Sequence, residues 1–171
     1  EVVIVGRTGS TQLPGSTATG VYDAALNGTT DGFLARFDAA GAPVWATYVG
    51  GSSVQQFEFE FESLDRVILE ASGHILVAGS VLDIGTLNGV DPTFNSNTQF
   101  EFQAPDGFVG RFSGSGSLVD ATYVGSVDFD YIQALGRAPS GAVIVAGTTA
   151  STFRTDYGVT SAAYQPTCEA F

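Results

Sequence analysis

Apolar and polar residues alternate with period two in short runs, and glycine or Ser-Gly punctuation closes most of them. Leu64 to Leu69 (LDRVIL) precedes a Ser-Gly turn and Ile75 to Ala78 follows it. Gly107 to Phe112 comes after a long connection, and Leu118 to Val124 returns after a turn at Ser113 to Ser117. Period-two alternation sends successive side chains to opposite faces of a pleated strand, so these runs predict four antiparallel strands in a meander. In the corresponding earlier turn, Asp38 to Ala42, Gly41 supplies the residue that takes positive φ in a tight hairpin. No stretch holds the i, i+3, i+4, i+7 spacing of an amphipathic helix, and Val, Thr and Gly are poor helix formers. The expected fold class is all-β.

The runs repeat. Asp31 to Gly50 (DGFLARFDAAGAPVWATYVG) matches Asp106 to Gly125 (DGFVGRFSGSGSLVDATYVG) at a shift of 75, with twelve of twenty positions identical. Gly73 to Gly79 (GHILVAG) matches Gly141 to Gly147 (GAVIVAG) at a shift of 68, and Val2 to Gly6 (VVIVG) reads as a further copy. The shift drops by seven because Gly51 to Ser63 is longer than its counterpart Ser126 to Tyr131, so one loop absorbs the difference. Approximate units are 1–72, 73–140 and a truncated 141–171. Phe33 and Phe37 fall on one face of their strand and Leu34 and Arg36 on the other. A short sheet that is apolar on both faces cannot stand alone in water, which points to sheets stacked on one another. Four-stranded blades packed between neighbours around an axis, as in a β-propeller, meet that demand.

The strings DGFVGRF…ATYVG, then DFDYIQAL…SGAVIVAGTT, then F…YGVTSAAYQ together resemble the bacterial β-propeller repeat family called SBBP repeats, over essentially the whole chain. The resemblance implies a blade region of a secreted or cell-surface protein and supplies no catalytic residues. Glu169-Ala170-Phe171 stands where Asp31-Gly32-Phe33 and Asp106-Gly107-Phe108 stand, as a third aromatic strand begins. Two and a half repeats are too few for a ring of about four to eight blades, so the remaining blades are expected from chain beyond this sequence or from neighbouring copies.

Composition changes the picture in two respects. The 171 residues suit one compact unit, and 44% hydrophobic residues with 13 Phe supply a core. With a net charge of −12, six Arg and no Lys, the chain has no basic stripe to neutralise phosphates, so nucleic acid is not an expected partner. No apolar run reaches the ~20 residues that span a bilayer, so no transmembrane segment is expected. One cysteine, Cys168, cannot form an internal disulfide; a bridge to a cysteine outside this sequence and a buried thiol are both open.

Candidate chemistry is sparse. Asp128 and Asp130, at i and i+2 near a turn, are weak candidates for a metal, calcium being the cation that carboxylate oxygens suit. At a shift of 75 their region aligns with Gln55 and Gln56, so the acids read as non-recurring and structural. Phe57 to Glu62 (FEFEFE) alternates as a strand with a solvated acidic face, or as an edge for strand addition or a carboxylate ladder. The long connection Ser80 to Pro105 exceeds an ordinary loop. Its Asp83, Asp91, Phe94, Phe100 and Phe102 are candidate partner-binding residues, for a protein or a surface glycan. Trp45 reads as blade packing, the Gly114-Ser-Gly116 stretch as a turn, His74 as incidental, and Asn27-Gly28-Thr29 as a turn, Asn-Gly being a hairpin signal, rather than a glycosylation sequon. No cofactor and no catalytic set is expected.

These readings favour a non-catalytic scaffold of an extracellular bacterial protein, mediating adhesion, assembly or macromolecular recognition. The alternatives are part of a propeller enzyme or glycan-processing protein whose site lies in other blades, and a structural subunit of a larger surface assembly.

Overall fold

A computed structural model describes residues 1–52, 62–95 and 103–150, and these are all-β: nine antiparallel strands and no helix. The first sheet is β1 (Val2–Thr8), β2 (Asp31–Phe37) and β3 (Pro43–Val49), in that order. A four-stranded meander follows, of β4 (Ser63–Leu69), β5 (Ile75–Val81), β6 (Asp106–Phe112) and β7 (Leu118–Val124). The third sheet pairs β8 (Asp130–Arg137) with β9 (Val143–Thr149). Among the described residues, only the second sheet has the full four strands expected of a blade. The repeat units phased at 73 and 141 begin in mid-sheet, one strand late, because the connections at 50–62 and 125–129 are what divide one sheet from the next.

Each sheet packs face to face on the next, first on second through β1 and β2 against β4 and β5, and second on third through β8. The stack is open among the described residues, and its sheets are arranged as the blades of a propeller are. Alternation explains the packing. Leu34, Trp45, Val49 and the partly buried Val3 and Val5 form the rear of the first sheet and meet Val77, Phe108, Phe112 and Tyr123 on the front of the second, making the main core. Leu76 and Ala78, on the rear of the second sheet, are buried in turn. At each junction the opening strand of one sheet pushes a branched side chain against a glycine of the sheet before it: Leu64 against Gly32, and Ile132 against Gly107. The glycine of each Asp-Gly-Phe string is therefore a steric requirement of stacking.

One end of the stack is built from four alike hairpins. In the turns 38–42, 70–74, 113–117 and 138–142 the first residue's N–H donates to the carbonyl of the fifth, and a glycine at the fourth place donates to the carbonyl of the first. Gly41, Gly73, Gly116 and Gly141 all hold φ between 82° and 90°, which is what lets three to five residues reverse a twisted strand pair. The matching bulges at Arg36/Phe37 and Arg111/Phe112 place Val44 and Val119 outside the ladder, and both are exposed.

The other end carries the long connections, and they do structural duty. Residues 9–30 run beside β3, where Ala46 donates to the Gly15 carbonyl and Tyr48 to that of Asp23. Residues 88–91 do the same for β7, through Tyr123 N–H to the Asp91 carbonyl and Ala121 N–H to Asn88 Oδ1. The outer strands of the first two sheets thus meet a covered edge in place of a bare row of donors. Trp45 is buried, with its indole N–H donating to the Gly114 carbonyl of the next sheet at 2.9 Å, so it is a junction residue.

Replacing Gly41 or Gly116 with alanine separates backbone strain from packing. A Cβ on Gly41 meets open space, so Gly41→Ala is expected to cost only the ~1–2 kcal/mol of left-handed backbone. A Cβ on Gly116 comes within 2.9 Å of the Trp45 ring, so Gly116→Ala is expected to cost clearly more, read as the larger drop in urea midpoint.

Candidate functional site

The repeated string Ala-Thr-Tyr-Val-Gly closes the first and second sheets, and two of its side chains fasten the end that carries the connections. The hydroxyl of Thr47 accepts from Asp23 N–H (2.8 Å) and donates to the Asp23 carbonyl; Thr122 does the same to Asp91. Tyr48 donates its hydroxyl to the Ser10 carbonyl, and Tyr123 donates to Gly85 while accepting from Ile84 N–H. The closing glycine leaves room for a carboxylate. A Cβ on Gly50 would lie 2.6 Å from Asp31 Oδ1, and one on Gly125 would lie 2.7 Å from Asp106 Oδ1 and 2.6 Å from Asp130 Oδ2.

Buried carboxylates therefore sit at both junctions. Asp31 and Asp106 open β2 and β6 with no exposure, and each accepts a backbone N–H at 3.0 Å, from Asn27 and Asn95 respectively. Glu62, 3% exposed, is placed just before β4 and takes N–H donors from two sheets: Gly51 after β3 at 2.6 Å and Leu82 after β5 at 3.1 Å. Asp130 takes Ser126 N–H at 2.7 Å, and Ser126 is the repeat counterpart of Gly51. The acid at this place does recur, which corrects the pairing of Asp130 with Gln55. Beyond the loop of variable length the shift is 68, and at that shift Asp130 falls on Glu62. That reduced shift was the signal in the sequence.

Burial dominates the electrostatics. It pushes the Asp31 carboxyl up to about 6; the Asn27 N–H partly offsets this and neighbouring Asp23 adds to it. Burial likewise pushes Glu62 up to about 7, against the pull of the Gly51 and Leu82 N–H groups and with a contribution from Asp31. Asp31 Oδ1 is buried and has no hydrogen-bond donor among the described residues. Two acids whose charged forms are both disfavoured thus face one junction.

The sequence candidates are divided by this geometry. Asp130 belongs to the buried junction, whereas Asp128 is half-buried in the preceding bend. Asp91 is buried and clamped by Thr122, and Phe94 lies against Tyr123 with ring centroids 5.7 Å apart, so both hold the connection down. Asp83 is exposed, and so are Thr86, Asn88 and Val90. Phe100, Phe102, Cys168 and most of the Phe57 to Glu62 string lie outside the described residues. Asn27-Gly28 forms the last bend of the connection before β2, with the Asn27 N–H donating to Asp31. His74 lies in a hairpin beside Ser72. At the hairpin end Glu70 pairs with both Arg111 and Arg137, and Arg111 also with Asp120, so these cations are internally neutralised. Among the described residues no three His, Cys, Asp or Glu side chains gather to hold a metal ion, and no helix is long and apolar enough to cross a membrane.

Neither models of known protein families nor curated proteins match this chain.

A pH dependence follows from the junction. Carboxyls whose folded pKa is raised bind protons more tightly in the native state. The stability they contribute is complete below their ordinary values near 3.8 and 4.5, and is lost as pH rises through about 6 and about 7. Glu62→Gln keeps the acceptor oxygen and removes the ionisation. Its melting temperature relative to the parent is expected to be near parity at about pH 5 and to become progressively higher by about pH 8, as followed by circular dichroism.

Proposed function

We propose that this chain is a non-catalytic blade scaffold of the SBBP type in a secreted or cell-surface bacterial protein, and that it recognises a protein or surface glycan through the end bearing its long connections. The asymmetry between the two ends carries the reading. One end consists of near-identical minimal hairpins, while the other holds connections of more than twenty residues whose backbone is fastened at several points and whose Asp83, Thr86, Asn88 and Val90 stay in solvent. Rigid support beneath an exposed, irregular surface is how many binding loops are mounted. Val90 is 85% exposed, the largest exposure among the described large hydrophobic residues, and apolar exposure of that degree at a fastened tip suits a contact residue. The acidic, lysine-free composition favours partners other than nucleic acid.

The test is a binding screen of the chain against arrayed bacterial and host glycans and against labelled cell-surface proteins, followed by the triple substitution Asp83→Ala, Thr86→Ala, Val90→Ser. All three side chains are in solvent, so the unfolding midpoint is expected to move little and affinity to fall more than ~10-fold. A hit that survives the triple substitution unchanged would place recognition elsewhere.

A further inference from the structure

Two buried carboxyls, one from each of the first two sheets, meet the same turn of backbone at Gly50 and Gly51. Asp31 has no exposure, and its Oδ1 lies against Gly50, where a Cβ would come within 2.6 Å of it. Glu62 is 3% exposed and grips the next residue, its Oε1 accepting the Gly51 N–H at 2.6 Å and the Leu82 N–H at 3.1 Å. From the exit of β5, the main-chain carbonyl of Asp83 presses on Gly51 closely enough to exclude a side chain there. Three segments of the chain thus bring oxygen to one pair of glycines.

These oxygens are not all used. Asp31 Oδ2 takes the Asn27 N–H, while Asp31 Oδ1 is buried with no donor among the described residues. Glu62 receives both of its N–H groups on Oε1, which leaves Oε2 free for a ligand. No Arg pairs with either acid among the described residues, and the chain has no Lys. A buried carboxylate oxygen with neither donor nor counter-charge carries a desolvation cost that a bound cation removes. The second junction repeats the placement: Asp130 Oδ2 and Asp106 Oδ1 lie 2.6 Å and 2.7 Å from where a Cβ would stand on Gly125, the counterpart of Gly50.

We infer that the first junction is a cation site, where one calcium ion is held by Asp31 Oδ1 and Glu62 Oε2 and ties the first sheet to the second. The donor set selects the ion. It is oxygen alone, with no imidazole or thiolate, which suits a hard cation and not zinc or copper. Calcium takes six to eight oxygens in variable geometry, so it tolerates a shell completed by main-chain carbonyls such as that of Asp83 and by water, whereas magnesium demands a strict octahedron. With only two charged ligands the site falls in the weak class, with a Kd of ~0.1–1 mM. It is distinct from the pair Asp128 and Asp130 that the spacing suggests, because Asp128 lies half-buried in a bend outside the first junction. This inference goes beyond the proposed recognition role and does not depend on it.

Isothermal titration of the chain with calcium chloride at about pH 8 tests it, together with thermal melting in calcium chloride and in sodium chloride of equal ionic strength. The parent is expected to bind with a Kd of ~0.1–1 mM and to melt at least ~3 °C higher in ~10 mM calcium. Glu62→Gln and Asp31→Asn keep the shape and remove one charge each. Each is expected to bind one ion fewer than the parent and to lose most of the gain in melting temperature. In chelator Glu62→Gln is expected to melt above the parent at this pH, and calcium is expected to narrow that gap. Asp65→Asn, at an exposed acid on β4, is expected to bind and melt as the parent does. If one junction variant unfolds, the other decides. A parent that binds no calcium overturns the inference, a buried water then being the missing donor to Asp31. So does binding that survives both junction variants, or a loss that Asp65→Asn reproduces.

Discussion

A thin β-sheet with apolar side chains on both faces has no stable existence in water, and the stacking of the sheets in this chain answers that constraint. Val77, Phe108 and Phe112 point one way from the second sheet and Leu76 and Ala78 the other, and all five are buried because a sheet lies on each side. Stacking of this kind has no natural terminus within the pattern. Each added sheet covers one face and brings another, so repetition of the unit is itself the way the apolar faces are covered.

Polar groups determine how the sheets are spaced and turned. The first and second sheets meet at Glu62, which gathers N–H groups from Gly51 and Leu82, and the second and third meet at Asp130, which takes the Ser126 N–H. Such a group is costly to bury and costly to ionise, but it satisfies donors that have no ladder partner at a sheet's end. Glu62 is the clearest case, since one oxygen serves the exit of β3 and the exit of β5 together. Burial at these junctions therefore disfavours the charged forms of Asp31 and Glu62, while the apolar faces supply the bulk of the contact between sheets.

The long connections answer a different liability. An outermost strand offers unpaired donors along its length, and the protein covers it with its own loop, clamped through Thr47 and Thr122 and pinned by Tyr48 and Tyr123. The result is an end of the stack that is both irregular and held, in contrast to the uniform hairpins opposite. Side chains such as Asp83 and Val90 reach solvent from a backbone already fastened at Ile84 and Asp91.

Strand identity, hairpin glycines and the need for stacked sheets were all legible in the residues, because period-two alternation and positive-φ turns are local chemistry. The alternating run Leu118 to Val124 coincides with β7, whereas β5 extends three residues past the run Ile75 to Ala78, because Gly79, Ser80 and Val81 break the alternation yet are buried. What local pattern could not show was which residues at different shifts meet. Asp130 looked solitary until the path of the chain set it on Glu62, and Asp91 and Phe94 looked like surface features until the connection folded back onto β7. The sequence by itself determined that this is a repeated all-β chain whose sheets are apolar on both faces, since side-chain alternation and turn geometry are properties of neighbouring residues. Only the tertiary structure decided which carboxylates are buried at the junctions, since burial is settled by segments that are far apart along the chain.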